Sequence, residues 1–138
     1  MENHFEICMT EDQLRGISSI GLAHMGDAVF ELLVRERLAA QGSMPAHILH
    51  KKAVKKVCAV AQARGYDRVE PLLTDEELGI LKRGRNANST HVPRSCDPSD
   101  YRKATGVEAL FGYLYLKGDL QRLETLYERM EDDGTEED

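Results

Sequence analysis

The sequence predicts an all-α protein. Apolar residues recur at the three- and four-residue spacing of helices, and no segment of useful length alternates apolar and polar residues as a strand does. Glycines, prolines and capping residues separate these periodic segments, and the 138 residues suit one domain with a substantial core. We expect a polar lead-in over residues 1–16, a helical domain over 17–130 and a disordered acidic tail over 131–138.

Helix-start and helix-stop residues give the expected bounds in the first half of the chain. A short helix is expected over Glu11–Arg15, and Ser18 or Ser19 then caps a long helix that reaches about Ala40. Pro45 favours the first turn of another helix, which is expected to run to Arg64 and to end at Gly65. The inner face of this helix is expected to contain Ile48, Val54, Val57, Cys58 and Ala61.

In the second half, a short helix or turn over Val69–Leu73 precedes Thr74–Glu77, which has the form of a capping box. The helix that this box opens is expected to reach about Arg83 and to stop at Gly84. After a polar loop over residues 85–95, the pair Asp97-Pro98 resembles an N-cap and first turn. The last expected helix covers Leu120–Met130, and its inward residues are Leu123, Leu126 and Tyr127.

Two of the apolar helices each carry one acidic residue inside the apolar pattern. Gly26-Asp27 interrupts a face formed by Leu22, Met25, Val29, Leu32 and Leu33. A glycine in a helix interior costs about 1 kcal/mol relative to alanine, so close approach of another backbone is its expected purpose. A carboxylate at such a point needs a partner, which could be a metal ion, a cationic side chain or a helix N-terminus.

The second helix has the same design around Glu108, with Gly112 one turn later. Close packing of the two helices could bring Asp27 and Glu108 together. Mg²⁺ is a hard ion that often binds one or two carboxylates together with water and substrate phosphate. The pair is therefore a candidate magnesium site.

The net charge of −6 is unfavourable for a nucleic-acid-binding protein, but the charge is unevenly distributed. Nine acidic residues and two arginines lie from Asp119 onward, whereas residues 1–118 have 16 Lys and Arg against 15 Asp and Glu. Local basic patches, rather than the total, determine phosphate binding. The acidic composition lowers the expectation of nucleic-acid binding without excluding it.

Other sequence features indicate a cytoplasmic protein. No apolar run approaches the roughly 20 residues of a membrane span, and the acidic N-terminus lacks the form of a signal peptide. Cys8, Cys58 and Cys96 are far apart and odd in number, so we expect reduced thiols.

The residues around both carboxylates resemble the motifs of the ribonuclease III family. The run Leu22–Val29 is similar to its Leu-Gly-Asp-Ala/Ser-Val signature, and Thr105–Gly112 is similar to its Asp-x-x-Glu-Ala motif. The mini-ribonuclease III branch is more similar still. Its Lys-Arg-Gly-Arg-Asn-Ala segment is present as Lys82–Ala87, and its Tyr-Arg-x-Ala-Thr-x-x-Glu-Ala block is present from Tyr101. The resemblance covers roughly residues 17–130.

Two acidic positions of the full-length family are not acidic here. Ala23 and Thr105 stand where that family has a glutamate and an aspartate, so only Asp27 and Glu108 carry over as catalytic and metal-binding residues. Glu31 and Asp97 are weaker candidates for additional metal ligands, and for Asp97 we favour the helix cap.

The resemblance implies an endoribonuclease that cleaves double-stranded RNA, gives 5′-phosphate products and uses Mg²⁺, for which Mn²⁺ could substitute. It also implies a homodimer that matures the ends of the large-subunit (23S) ribosomal RNA precursor in the cytoplasm. A ribosomal protein or pre-ribosomal particle could be a further partner, and no membrane association is implied.

Candidate RNA-binding and interface residues lie around these motifs. The basic and polar side chains expected to meet the RNA backbone are Lys51, Lys52, Lys55, Lys56, Lys82, Arg83, Arg85, Asn86 and Arg102. A solvated helix face is the alternative explanation for the four clustered lysines. The twofold interface is expected on an exposed apolar surface of the first long helix, with Met25 and Phe30.

Two other functions compete with this one. The losses at Ala23 and Thr105 would suit a non-catalytic RNA-binding or ribosome-assembly module, although both Asp27 and Glu108 are kept. An all-α metal-dependent phosphohydrolase acting on nucleotides is the other alternative. Such enzymes usually pair carboxylates at Glu-x-x-Glu spacing, which the two apolar helices lack.

Overall fold

A computed structural model describes residues 7–87 and 92–131 of the chain, and within these ranges the protein is helical with no strand. Its α-helices are α1 (Glu11–Arg15), α2 (Ser19–Ala40), α3 (Ala46–Val57), α4 (Ala59–Val69), α5 (Asp75–Arg85), α6 (Pro98–Lys117) and α7 (Leu120–Glu131). A 3-10 turn over Glu70–Leu72 joins α4 to α5. The prediction of an all-α fold is confirmed.

Helix α6 is the centre of the fold, and α2 crosses it at very short range. A Cβ atom on Gly26 would lie 1.6 Å from the backbone oxygen of Glu108, and one on Gly112 would lie 2.0 Å from the backbone oxygen of Leu22. Real side chains cannot approach backbone atoms so closely. Gly26 and Gly112 are therefore required by the crossing, as the sequence predicted for Gly26.

Two more helices pack on α6, and a glycine in each allows close approach of a neighbouring helix. Gly84 of α5 lies against Ala109 and Gly106 of α6, since an added Cβ would meet their atoms at 2.8 and 3.0 Å. Helix α4 packs on both α6 and α7. At Gly65 an added Cβ would lie 2.0 Å from the methyl carbon of Met130, so this glycine lets α7 approach α4.

A partly buried ion pair joins α5 to α7. The Arg122 guanidinium donates to both carboxylate oxygens of Glu77, at 2.9 and 2.8 Å, and to the backbone oxygen of Leu72 at 2.9 Å. The Arg122 hydrogen bonds hold the pKa of Glu77 below its usual value. Glu77 also closes the capping box with Thr74, so one buried carboxylate both starts α5 and fixes it to α7.

Most predicted helix starts are confirmed. Ser18 caps α2, Thr74 and Glu77 form the predicted capping box, and Asp97 caps α6 by accepting from the backbone N–H of Asp100 at 3.2 Å. Leu123, Leu126 and Tyr127 are buried in α7, as predicted. No described helix is long and apolar enough to cross a membrane.

The prediction of one helix from Pro45 to Arg64 is wrong. Cys58 has extended backbone angles, φ −68° and ψ 159°, and divides this segment into α3 and α4. Helix α3 packs on α2, whereas α4 packs on α6 and α7, so the break lets each helix face a different partner. The buried residue of α3 is Ala53, and the predicted core residue Val54 is 44% exposed.

Gly65 and Gly84 were expected to stop helices, and both expectations are wrong. Helix α4 continues to Val69 and α5 continues to Arg85. Each glycine lies inside a helix because a neighbouring element comes too close for a side chain. Their role is packing rather than termination.

The predicted faces of α2 also need correction. Leu32 was expected in the core but is 46% exposed, whereas Phe30, expected at an exposed interface, is 2% exposed. The Phe30 ring lies 5.4 Å from the ring of Phe111 and 5.5 Å from that of Tyr127, measured between centroids. Because these neighbours belong to α6 and α7, Phe30 is part of the protomer's own core.

Some predictions concern residues outside the described ranges. They are the lead-in over residues 1–6, the loop over 88–91 and the acidic tail from 132 onward. Glu131, assigned to that tail, instead ends α7 and forms an ion pair with Lys56 at 3.1 Å.

We predict that Gly26→Ala destabilises the fold by at least about 3 kcal/mol or prevents folding, because its methyl group would overlap the α6 backbone. Gly79→Ala is the matched control in α5. There the nearest atom is the flexible Arg83 guanidinium at 3.3 Å, and a gain of up to about 1 kcal/mol in helix propensity is expected. Chemical denaturation of both variants measures the difference, and equal stabilities would contradict the close crossing.

Candidate active site

The α2–α6 crossing brings together the two carboxylates that the sequence singled out. Gly26 contacts the backbone of Glu108, so the next residue, Asp27, lies beside the Glu108 side chain. The two carboxyl groups are hydrogen-bonded to each other. Asp27 is exposed and Glu108 is partly buried, so the site opens to solvent on the Asp27 side.

The environment of Glu108 disfavours its charged form. Burial, and after it charge repulsion from the neighbouring Asp27 carboxylate and the hydrogen bond between the two groups, together raise the pKa of the Glu108 carboxyl to about 8. At neutral pH Glu108 therefore keeps its proton, and its protonated carboxyl donates a hydrogen bond to the Asp27 carboxylate. A pKa this strongly shifted, at the mouth of a surface site, is typical of a functional carboxyl.

Gln62 is a third member of the site that the sequence analysis missed. It is 1% exposed, lies on α4, and its side-chain amide hydrogen-bonds to the Glu108 carboxyl, which lowers the pKa of that group. Gln62, Tyr66 and Val69 are all buried at helical spacing on one face of α4. A polar residue inside an apolar face was the available signal, but the predicted inner face of this segment pointed elsewhere.

The donor set at the crossing suits a hard divalent cation. Two adjacent carboxyls, one held neutral by burial and by its neighbour, would both be charged if a dication lay beside them. Among the described residues, no group of three or more His, Cys, Asp and Glu side chains could hold a metal ion. A magnesium ion bound here would thus use two protein carboxylates and complete its shell with water or substrate oxygen.

The other candidate ligands are already engaged. The Glu31 carboxylate accepts from Arg35 Nε at 2.9 Å, and that of Asp97 caps α6. The two positions that differ from the full-length family offer no carboxylate, since Ala23 is buried and the Thr105 hydroxyl donates to the backbone oxygen of Tyr101 at 3.0 Å.

The predicted RNA-binding residues lie on three helices. On α5, Arg85 packs against Gly106 of α6, because its Cβ would be 3.4 Å from one placed on that glycine. Its Nη1 donates to the Tyr66 hydroxyl at 2.8 Å and its Nε to the Asn86 amide oxygen at 3.2 Å. The exposed members of the set are Lys51, Lys52 and Lys55 of α3, Lys82 and Arg83 of α5, Asn86 just after α5, and Arg102 of α6.

A model of the ribonuclease III domain matches residues 21–119, which include both carboxylates and all of α2 except its first two residues. The chain is 43% identical to the Mini-ribonuclease 3 of Thermoanaerobacter sp. (strain X514) over 87% of its own length and 84% of that protein. It is 46% identical to the Mini-ribonuclease 3 of Symbiobacterium thermophilum over 74% of this chain and 78% of that one. The chain therefore belongs to the ribonuclease III family and is an endoribonuclease.

Within that family it belongs to the mini-ribonuclease III branch, in agreement with the motifs around Lys82 and Tyr101. A solved structure gives the same result for the fold. A crystal structure of a protein from Fusobacterium nucleatum superposes with a TM-score of 0.76 at 32% identity, and covers 83% of this chain and 88% of that one.

We predict that Glu108→Gln changes the pH dependence of stability in the presence of EDTA. The folded-state pKa of about 8 lies above the ordinary 4.5, so the stability contributed by protonated Glu108 is complete below about pH 4.5 and is lost as pH rises through 8. Glutamine does not ionise and avoids this loss. The melting temperature of Glu108→Gln relative to the parent should rise by about 4 °C or more between pH 5 and pH 9.

Glu128→Gln provides the control, since it removes the same charge at an exposed position of α7. The difference in melting temperature between this variant and the parent should stay constant from pH 5 to pH 9. A constant difference between Glu108→Gln and the parent across this pH range would contradict the raised pKa.

Proposed function

We propose that this endoribonuclease is magnesium-dependent, cleaves double-stranded RNA and acts on the precursor of large-subunit (23S) ribosomal RNA in the cytoplasm. The observation that carries the proposal is the contact between the Asp27 and Glu108 carboxyls at the α2–α6 crossing. Membership of a family that acts on double-stranded RNA supports the substrate class. The ribosomal precursor, and any ribosomal protein that presents it, come from the resemblance to the mini-ribonuclease III branch.

Each residue of the site has a separate task in this proposal. Asp27 and Glu108 would hold Mg²⁺, or Mn²⁺ in its place, and the Gln62 amide orients the Glu108 carboxyl through their hydrogen bond. When bound, the ion lowers the pKa of a water molecule and offsets negative charge on the phosphate. Loss of the Glu108 proton accompanies ion binding, so affinity for the ion should increase with pH.

Binding of RNA rests on the exposed cations of α3, α5 and α6. Shape recognition of A-form RNA uses phosphates and 2′-hydroxyls rather than base edges, and the exposed cations of α3, α5 and α6 have the right chemistry for this. Neutralised phosphates release counterions, so affinity should fall steeply with salt.

A homodimer completes the proposal, because one site cuts one strand of a duplex. An apolar groove of about 880 Å³ lies between α2 and α3 and is lined by residues that include Leu38, Leu49, Ala53, Val54 and Val57. Leu32 of α2 is also exposed. We assign this apolar surface to the twofold interface together with the half-buried Met25, in place of Phe30.

We predict that Asp27→Asn and Glu108→Gln each lower the rate of cleavage of a long duplex RNA in Mg²⁺ by about 100-fold or more, while binding and dimerisation persist. Several kcal/mol of charge stabilisation at the phosphate are lost with either ligand, and each 1.4 kcal/mol is tenfold in rate. Gel electrophoresis of the products under single-turnover conditions measures the effect.

Glu36→Gln removes an exposed carboxylate from the same helix as Asp27 and should cleave at the parental rate. If the parent binds duplex RNA but never cuts it, even in a ribosomal precursor, the chain acts as a binding module and this proposal is wrong.

We also predict that Leu32→Glu or Val54→Asp makes the protein monomeric. Either change places a charge in the apolar surface that the partner would cover, at positions that are 46% and 44% exposed in the protomer. Leu72→Glu, in the 3-10 turn, introduces the same charge at another exposed leucine and should leave the dimer intact. Analytical ultracentrifugation decides, and unchanged sedimentation of both α2 and α3 variants would exclude this interface.

A further inference from the structure

Tyr66 of α4 brings two cations together near the active site. Its side chain is 1% exposed, its hydroxyl accepts from Arg85 Nη1 at 2.8 Å, and the Lys103 ammonium lies 5.5 Å from the centre of its ring. The Arg85 guanidinium carbon is 6.0 Å from the same centre. Arg85 and Lys103 come from α5 and α6, so one buried tyrosine holds cations from two other helices.

This arrangement lies one helical turn from the carboxylate site. Gln62, whose amide bonds to Glu108, precedes Tyr66 by four residues on the same buried face of α4, which is about 6 Å along the helix axis. The tyrosine that holds these cations therefore lies one turn of α4 from the residue that bonds to Glu108.

The two positive charges of Arg85 and Lys103, both close to the Tyr66 ring, attract an anion. Both side chains are partly exposed and can be reached from solvent. Burial raises the pKa of the Tyr66 hydroxyl, so this group stays neutral and continues to accept from Arg85 at physiological pH. The anion presently nearest Lys103 belongs to the protein, because the exposed Asp67 carboxylate accepts from its ammonium at 2.8 Å.

We infer that Tyr66 is a positioning residue for substrate, which fixes Arg85 and Lys103 to bind an RNA backbone phosphate next to the cleaved bond. The inference rests on the proposed function and adds two residues, Tyr66 and Lys103, to the RNA-binding set. The phosphate replaces Asp67 at Lys103 when RNA binds, so Asp67 competes with substrate. Tyr66 acts through Arg85 and does not touch the reacting atoms.

Tyr66→Phe tests the first part, since it removes the hydroxyl and keeps the buried ring. In a Glu108→Gln background, which keeps the RNA intact, fluorescence anisotropy with a short duplex RNA should show a dissociation constant about three- to tenfold higher, because a charge-assisted hydrogen bond no longer holds Arg85. The plot of log affinity against log salt concentration should become less steep. Arg85→Ala should reduce the magnitude of this slope by about 1, and Tyr66→Phe should approach that value. With Glu108 restored, KM should rise and kcat should change by less than about twofold.

A double-mutant cycle separates positioning from general packing. Tyr66→Phe combined with Arg85→Ala should bind no more weakly than Arg85→Ala alone. The matched control is Tyr113→Phe, a buried tyrosine of α6 with Lys117 5.4 Å from its ring centre, and its affinity and salt slope should equal those of the parent. Additive losses, or an unchanged affinity in Tyr66→Phe, would overturn the inference.

Asp67→Asn tests the competition at Lys103. Unlike Tyr66→Phe, it is expected to strengthen RNA binding. Removing the protein's own anion should lower the dissociation constant for duplex RNA by about two- to fivefold at low salt. An affinity equal to or below that of the parent would exclude Lys103 as a phosphate contact. These outcomes can be told apart from failure of the proposed function. The proposed function fails if the parent protein binds duplex RNA but does not cleave it, whereas this inference fails if the variants bind RNA as the parent does.

Discussion

The rest of the structure depends on the contact between the backbones of α2 and α6. Gly26 and Gly112 let the two helices approach so closely that a single added carbon at either position would overlap the other chain. That approach determines where Asp27 and Glu108 lie. The repulsion between the two carboxyls is tolerated because Glu108 keeps its proton in the metal-free protein. Packing of the core and chemistry of the site thus have one cause.

The sequence was most informative where the determining interaction is local. The caps at Ser18, Thr74 and Asp97 each involve residues within one turn. Thr74 and Asp97 were predicted correctly, and Ser18 is one of the two residues expected to cap α2. The pairing of Asp27 with Glu108 is not local, yet it could be predicted because each carboxylate sits next to or one turn from a glycine in an apolar helix. Such a glycine has few uses other than close packing.

Prediction failed where the role of a residue depends on which distant part of the chain packs against it. A glycine that stops a helix and one that admits another helix look alike in sequence, so Gly65 and Gly84 were misassigned. Phe30 and Leu32 are both large and apolar, and only the positions of Phe111 and Tyr127 make the first a core residue. Gln62 was missed for the same reason, since its importance comes from Glu108, which lies 46 residues away in the sequence.

The single extended residue between α3 and α4 has a consequence for how such proteins can diverge. In an unbroken helix, each inserted or deleted residue turns everything downstream by about 100°. Such a change in α3 would then rotate Gln62 and Tyr66 away from their neighbours. Because Cys58 leaves the helical conformation, that rotation need not pass into α4. The lysine-rich surface of α3 can therefore change in length and composition during evolution while the orientation of the catalytic helices is preserved.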